Sequence, residues 1–357
     1  MILHVLTDPD RRGGQLFAAQ LRDAFAARGR EARAVALGPG GGGESLSVTV
    51  LGPARMSART LRSLRSEIRS ASVVIGFGST TLPACSIAGL GLDTPFIYRS
   101  IGDIRYWTNS VARRARVRYF LRRADAVVAL WPAAAEALHE VFGVPSERIR
   151  VIPNAVPAAS FPPVDEARRR AARERLGVEP EVPLLAWIGA LAREKNADLA
   201  IEAVGLVESC HLVIVGDGPE LARVARVAER RADDRIRFTG LVQDPATVLA
   251  AADAVLLTSR SEGMPGVLIE AGLSGLPTVA TDVGGVREIV LPGETGELVP
   301  PSASPQDVAV AIRSVLGRRS ELGVAARELC RRRFEMEVVA DAWLHLIDEV
   351  TARRAPG

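Results

Sequence analysis

Short runs of apolar and β-branched residues recur along the chain, each separated from the next by a stretch long enough for one helix. This alternation is the mark of βα units and parallel sheets. In the first half the predicted strands are Ile2 to Thr7, Ala32 to Leu37, Val73 to Phe77, Pro95 to Tyr98, Ala126 to Leu130 and Ile149 to Ile152. Between the first two, Leu16, Ala19, Leu21 and Phe25 fall broadly at helical spacing over Gln15 to Arg28, and Gly29 supplies a C-terminal stop. Gly40 to Gly43 is a loop by composition. Three further prolines between Asn154 and Pro163 stop strand and helix alike and mark a linker. A second series follows, with strands at Leu184 to Ile188, Leu212 to Val215, Ile236 to Thr239, Ala254 to Thr258 and Thr278 to Ala280, then a helical pattern from Glu335 to about Arg353. The expected class is α/β: two Rossmann-like, doubly wound domains, 1–157 and 158–334, facing each other across a ligand cleft.

Length and composition agree with that division. A chain of 357 residues suits two domains, and 48% hydrophobic with 24% charged residues is a globular balance. Cys85, Cys210 and Cys330 lie too far apart for a zinc knuckle and are too few for a disulfide framework, which points to a reducing cytoplasm. No run approaches the roughly 18 apolar residues of a membrane span, and the first strand is too short for a signal-peptide core. A cytoplasmic protein is expected. Charge adds an asymmetry: residues 1–160 hold 21 Arg against 12 Asp plus Glu, net +9, and residues 161–357 hold 24 Lys plus Arg against 30 acids, net −6, which sum to the overall +3. Arg113, Arg114, Arg116, Arg118, Arg122 and Arg123 crowd one predicted helix, with Val117, Phe120 and Leu121 as its buried positions. Either this is a solvated helix of an arginine-rich protein, or the first domain makes peripheral contact with an anionic membrane at its inner face. The drift to Arg and Ala suggests a GC-rich bacterial genome, in which Lys195, the only lysine, stands out.

The most informative segment follows the predicted strand Ala254 to Thr258 and reads Ser261-Glu262-Gly263-Met264-Pro265-Gly266-Val267-Leu268-Ile269-Glu270-Ala271. Pro265 suits a first helical turn, so the loop Gly263 to Gly266 can aim free backbone N–H groups at an anion with the helix dipole behind them. Glu262 then lies in the loop and Glu270 inside the helix. Taken alone, the two are equally well read as acids at a helix start. A second segment changes that balance: Ile188-Gly189-Ala190-Leu191-Ala192-Arg193-Glu194-Lys195-Asn196 leaves the first strand of the second domain. Gly189 allows close backbone approach, and Arg193 and Lys195 are charge-assisted donors within reach of a diphosphate. Together the two segments point to phosphate binding.

Other motifs carry less. Val215-Gly216-Asp217-Gly218-Pro219 is a strand followed by a glycine turn, but Leu221 stands where a dinucleotide fingerprint needs its third glycine. Gly13-Gly14 follows the first strand and is either a plain βα turn or a second wall of amides facing the ligand. His4, His139, His211 and His345 have no metal-ligand spacing, no nucleophile elbow occurs, and neither a metal, a cofactor nor a nucleic-acid partner is expected.

The combination resembles the retaining glycosyltransferases of family 4, whose GT-B fold has two Rossmann-like domains. The likeness rests on Gly13-Gly14, Val151-Ile152-Pro153-Asn154, Gly189-x-Leu191-x-x-x-Lys195, Val215 to Pro219, Gly240-Leu241-Val242 and, most specific, the Glu-x7-Glu of Glu262 to Glu270. It implies metal-independent transfer of a sugar from a nucleotide diphosphate sugar to the hydroxyl of a sugar, lipid or small-molecule acceptor. It also implies that the second domain holds the donor, that the first serves the acceptor, and that 335–357 crosses back to the first. Lys195 would bind the diphosphate, helped by Arg193; Glu262 would take the sugar's hydroxyls, Gly263 to Gly266 its phosphates, and Glu270 the ribose diol. By the same likeness Gly14, Gly189, Gly240, Val242, Met264, Pro265 and Val267 join the substrate site. Two positions depart from the family. Ala190 stands where it often has arginine, and Tyr98-Arg99-Ser100-Ile101-Gly102-Asp103 covers the region where many members place a histidine, so Arg99 or Asp103 is expected to take a polar role beside the sugar. An epimerase or hydrolase of nucleotide sugars, or a homologue that binds donor without turning it over, are the competing readings.

Overall fold

The computed structural model describes residues 1–357 except 43, 109, 231–233, 243 and 355–357, and except the side chains of 106 and 107. Gly43 of the glycine run and the last three residues of the segment 335–357 thus lie outside the described residues. Two compact units result: Met1–Ala155 with Met336–Gly357, and Val156–Glu335. The chain leaves the first unit within the proline-bearing linker and re-enters it one residue after Glu335.

The first unit is built on a parallel sheet of β1 (Ile2–Leu6), β2 (Ala32–Ala36), β3 (Thr49–Val50), β4 (Val73–Phe77), β5 (Phe96–Arg99), β6 (Ala126–Ala129) and β7 (Ile149–Val151), in the order β3-β2-β1-β4-β5-β6-β7. The second has β8 (Leu184–Ile188), β9 (His211–Val215), β10 (Ile236–Gly240), β11 (Ala254–Leu257), β12 (Thr278–Thr281) and β13 (Gly296–Val299), also parallel, in the order β10-β9-β8-β11-β12-β13. The predicted strands all appear, shifted by at most a residue at either end. Two short strands, β3 and β13, were not predicted. β3 has only two residues, both exposed, and Gly296–Val299 carries a half-exposed Glu297, so neither shows the apolar run that marks a buried parallel strand. Each sheet is doubly wound, and its winding direction reverses between its first and fourth strands in sequence: β1 and β4 in one unit, β8 and β11 in the other. In such sheets ligands bind beyond the strand C-termini at that reversal.

An aspartate just ahead of a strand appears in both units, in Ala124-Asp125-Ala126-Val127 and Ala252-Asp253-Ala254-Val255. Asp125 accepts the Phe96 amide that opens β5 at 2.8 Å and a bidentate guanidinium from Arg354. Asp253 accepts the Leu184 amide that opens β8 at 2.8 Å, together with Arg173 at 2.7 Å and Arg169 at 2.6 Å. Each carboxylate satisfies a strand-end donor that a parallel ladder leaves unpaired, and its arginines offset the cost of burying it.

The core of the first unit includes its closing helix. Met336–Ala352 lays Val339, Ala340, Trp343, Leu346, Ile347 and Val350 against Ile2, Phe17, Leu21, Phe25 and Phe77, and Arg28 and Arg30 pair with Asp341 and Asp348 at 2.7 Å on its outer face. The expected crossing back of the C-terminal segment is therefore a packing interaction. Trp343 is fully enclosed, its ring 6.4 Å from that of Phe77. His4 packs in the same cluster, its Nδ1–H donating to the Ala18 carbonyl at 3.0 Å, and burial lowers its pKa to about 4, so it is a neutral core histidine. Among the described residues no helix is long and apolar enough to cross a membrane. Trp343→Ala is expected to cost about 3–5 kcal/mol through the cavity it leaves. Urea unfolding should show this loss in the first unit, and an unchanged midpoint would place the helix outside the cooperative core.

Candidate active site

The second unit assembles its site from the two loops that leave β8 and β11, the neighbouring strands at which the sheet reverses. Past β8, Gly189 and Leu191 run alongside the β9 turn: Gly189 N–H donates to the Val215 carbonyl at 3.0 Å, Leu191 N–H to that of Asp217 at 2.9 Å, and Glu220 N–H to that of Leu191 at 2.9 Å. That approach is why the turn is glycine-rich. A Cβ on Gly216 (φ +137°) would stand 1.9 Å from the Gly189 carbonyl oxygen, and one on Gly218 would stand 2.4 Å from that of Leu191. The incomplete Gly-x-Gly turn is thus a support for the Gly189 loop. Gly240 joins the same support, since its carbonyl accepts the Gly216 N–H at 2.9 Å, whereas Val242 stands half-buried further along.

The chain then makes a 3-10 turn over Arg193–Lys195, and Asn196 takes the left-handed conformation, φ 51°, before the helix Ala197–Val204. Asparagine tolerates that conformation better than most residues. The turn brings Lys195 Nζ to 2.6 Å from Glu262 Oε1, joining the β8 loop to the β11 loop. Ser259 Oγ donates to the same carboxylate oxygen at 2.6 Å. Beneath them Thr258 Oγ1 lies 3.2 Å from the Lys195 carbonyl and 3.0 Å from that of Asn196, and takes the Trp187 indole N–H at 3.1 Å. Arg260 N–H donates to the Glu194 carbonyl at 2.7 Å. Lysine and glutamate are thus held at one spot by backbone ties on both sides. The Glu262 side chain is 9% exposed and that of Lys195 26%, so both are enclosed yet reachable.

Glu262 to Pro265 lead into the helix Gly266–Leu273, with Pro265 at its N-cap and no side chain capping its first amides. Gly284 (φ +57°) lies against this loop, and a Cβ there would come within 2.1 Å of the Glu262 carbonyl; Gly285 N–H donates to the Gly263 carbonyl at 2.6 Å. Met264 is buried and Val267 half-buried on the same segment. Glu270 turns back over the helix start, where a Cβ on Gly266 would lie 3.8 Å from its Oε1. Its carboxylate makes no hydrogen bond or ion pair to another described residue, and burial raises its pKa to about 7. A half-buried, unpaired carboxylate beside helix amides that no side chain caps is a polar site awaiting polar groups. Arg193 differs, because its side chain is 85% exposed and 3.5 Å from Glu220, a loose tether that leaves it room to swing.

Ser259, Thr258 and Gly284 complete this site and escaped sequence reasoning, which reads Gly216 and Gly218 only as parts of a turn. The glycines carry a signal only as close-approach positions, which appears once the facing backbone is known. In the first unit Gly14 packs under Ile101, whose Cδ1 a Cβ there would meet at 2.9 Å. The two residues expected to stand in for a histidine need correction. Arg99 is fully buried, 4.0 Å over the Phe17 ring and bonded to Asn154, and burial pulls its pKa down to about 9. It has no face open to a substrate. Asp103, 7% exposed, caps the short helix Ile104–Trp107 and chelates Arg105 at 2.6 to 3.0 Å. Phe17 from the helix Gly13–Ala27 and Phe77 from β4 enclose the first, and a helix start consumes the second.

Two parallel doubly wound sheets, one bearing a lysine–glutamate pair at its reversal, define a GT-B glycosyltransferase fold. The family description Glycosyl transferase 4-like domain matches residues 5–155, and Glycosyl transferases group 1 matches residues 182–318. The chain belongs to the group 1 glycosyltransferases. Among curated relatives, a D-inositol 3-phosphate glycosyltransferase of Xylanimonas cellulosilytica is 35% identical over 65% of this chain and 58% of its own length. An alpha-D-kanosaminyltransferase of Streptomyces kanamyceticus is 31% identical over 58% of this chain and 55% of its own. The chain thus spans a little over half the length of the curated relatives it matches. Among solved structures, Anabaena Alr3699/HepE in complex with UDP-glucose superposes with a TM-score of 0.85 at 20% identity, covering 98% of this chain and 99% of that one. Sucrose-phosphate synthase from Thermosynechococcus elongatus gives 0.83 at 21% identity, over 99% of both chains.

The raised pKa of Glu270 gives a pH test. A carboxyl whose folded pKa lies above its unfolded value favours the folded state below the usual carboxylate range, and this advantage is lost as pH rises toward 7. Glu270→Gln is therefore expected to melt higher than the wild type by a margin that grows between about pH 5 and pH 8. A margin that is flat across this range would show Glu270 to be ordinarily solvated.

Proposed function

We propose that this protein transfers a sugar from a nucleotide diphosphate sugar to an acceptor hydroxyl with retention of configuration and without a metal ion. The observation that carries the reading is the Lys195–Glu262 pair at the reversal of the second sheet, beside an uncapped helix start and an unpaired Glu270. A diphosphate at that helix start meets the amides of Gly263 to Gly266 and the Lys195 ammonium, with Arg193 swinging in from solvent. Glu262 then exchanges part of its contact with Lys195 for the hydroxyls of the transferred sugar, and Glu270 accepts from the ribose diol. The acceptor hydroxyl attacks the face from which the diphosphate leaves, and the charge that grows on the leaving group is stabilised by dipoles and cations already in place. The first unit is assigned the acceptor. That the solved Anabaena neighbour was crystallised with UDP-glucose, and with UDP and glucose, supports this donor class. A role at the face of an anionic membrane accords with the net +9 of residues 1–160.

Two measurements test the reading. In a donor panel with an acceptor present, turnover is expected to survive excess EDTA. Lys195→Ala is expected to slow it about 10- to 150-fold, the kinetic worth of a charge-assisted contact of roughly 1.5–3 kcal/mol. Strict dependence on Mg²⁺ would sink the mechanism, and donor consumption at full speed without acceptor would identify a hydrolase. The carboxylates divide the labour: Glu270→Ala should chiefly raise KM and weaken nucleoside diphosphate binding by calorimetry, while Glu262→Ala should lower kcat with that affinity nearly intact. Unchanged kcat, KM and nucleotide affinity in both folded variants would remove the donor site from this unit's two loops.

A further inference from the structure

The first sheet carries a second cavity at the opposite edge from the one where doubly wound folds bind their ligands. It measures about 560 Å³ and opens where β4, β5, β6 and β7 begin. Its floor is apolar and small, with Val74, Cys85 and Phe96 buried, and its mouth is basic. Arg122 and Arg123 come from the end of the helix Val111–Leu121, Arg148 from the turn ahead of β7, and Arg354 from the segment after the helix Met336–Ala352. An adjoining hollow of about 290 Å³ shares Arg148 and Arg354 and adds Arg353.

Among the described residues Asp125 is the one acid lining either space, and it is already taken by the Phe96 amide and by Arg354. Arg122, Arg123 and Arg148 have no carboxylate within ion-pair distance among the described residues. Arg148 Nη1 instead reaches the Arg122 carbonyl at 3.5 Å, and Arg123 Nη2 lies 3.4 Å from the Tyr119 hydroxyl. A helix C-terminus favours nearby cations and accounts for Arg122 and Arg123 on its own. It does not account for Arg148, which reaches the same mouth from a segment 25 residues further along the chain, beside Arg354 on its Asp125 carboxylate. With Asp125 neutralising Arg354, the like charges of Arg122, Arg123 and Arg148 still repel one another unless an anion joins them. Guanidinium forks match phosphate oxygens in pairs, and a volume of this size admits a small organic body behind the phosphate.

We propose that this cavity is a binding site for a phosphate-bearing anion, separate from the donor site, with Arg122, Arg148 and Arg354 holding the phosphate and the pocket floor taking the rest of the ligand. A soluble phosphorylated compound and a phospholipid headgroup share this chemistry. Because Arg354 follows directly on the helix Met336–Ala352, an occupied site also ties down the end of that helix. The proposal does not depend on the sugar-transfer reading, since no residue is shared between the two sites.

Inorganic pyrophosphate is the probe, and its two binding places are told apart by hydrogen exchange read peptide by peptide. Pyrophosphate is expected to protect peptides covering 119–126 and 346–354, saturably, with protection weakening as NaCl rises. Arg122→Ser with Arg148→Ser should weaken this protection about 10-fold or more. Both side chains are exposed, so the melting temperature should stay unchanged, and any protection of the Gly263–Glu270 segment should persist. Protection confined to the 189–196 and 262–270 segments, or equal protection in the double variant, would overturn the proposal. Vesicles of phosphatidylglycerol in phosphatidylcholine then identify the source. Competition with pyrophosphate at 119–126 that the double variant abolishes means a lipid headgroup, and no competition means a soluble phosphate compound.

Discussion

A lysine ammonium 2.6 Å from a glutamate carboxylate, at the point where a parallel sheet reverses its winding, is the interaction around which the second unit is arranged. Two charges of opposite sign at half-buried positions gain little net stability by meeting, because each loses water. What the pair fixes is geometry. It requires the loops beyond β8 and β11 to lie together, and the structure supplies that by threading Thr258 under the Lys195 and Asn196 carbonyls, by setting Ser259 beside Glu262, and by removing every Cβ that would keep the backbones apart at Gly216, Gly218 and Gly284. Positions far from the pair in sequence are thereby committed to it.

The same economy appears at the opposite edges of the sheets. Each unit sets an aspartate ahead of an interior strand, uses it to hold a neighbouring strand's first amide, and pairs it with arginine. In the second unit Arg173 and Arg169 meet Asp253 in a largely buried cluster. In the first, Asp125 pairs with Arg354, and Arg122, Arg123 and Arg148 gather beside it with no carboxylate in ion-pair distance among the described residues. Two units with one architecture therefore differ in what they leave unpaired. The second keeps an unpaired carboxylate at its C-terminal edge, and the first keeps unpaired guanidiniums at its N-terminal edge.

Arginine in this protein serves three distinct ends. Arg99 is buried between Phe17 and Phe77, where desolvation lowers its pKa to about 9 and its Nε and Nη1 lack partners, a cost accepted for packing. Arg28 and Arg30 fasten the C-terminal helix to the first unit through exposed pairs worth little each. Arg122 and Arg148 remain open to solvent and to anions. A chain with one lysine assigns these duties by environment, because residue type no longer separates them.

The chain's own pattern determined most of the fold. Parallel strands buried on both faces write themselves as continuous apolar runs, so the predicted strands and the break near Asn154 are legible without coordinates. β3 and β13 are not, being too short or too exposed to leave that trace. The chemistry of the site was legible where it depends on residue type at close spacing, as in Glu262 to Glu270 and Gly189 to Lys195. The tertiary structure decided the rest. That Lys195 meets Glu262, that Gly216 and Gly284 exist to let backbones pass, that Arg99 is sealed and Asp103 spent on a helix cap, and that arginines from three segments share one mouth are all facts of which distant segments touch. Spacing along a chain carries no record of such contacts, because the free energy that sets them is released only when the sheets form and bring those segments together.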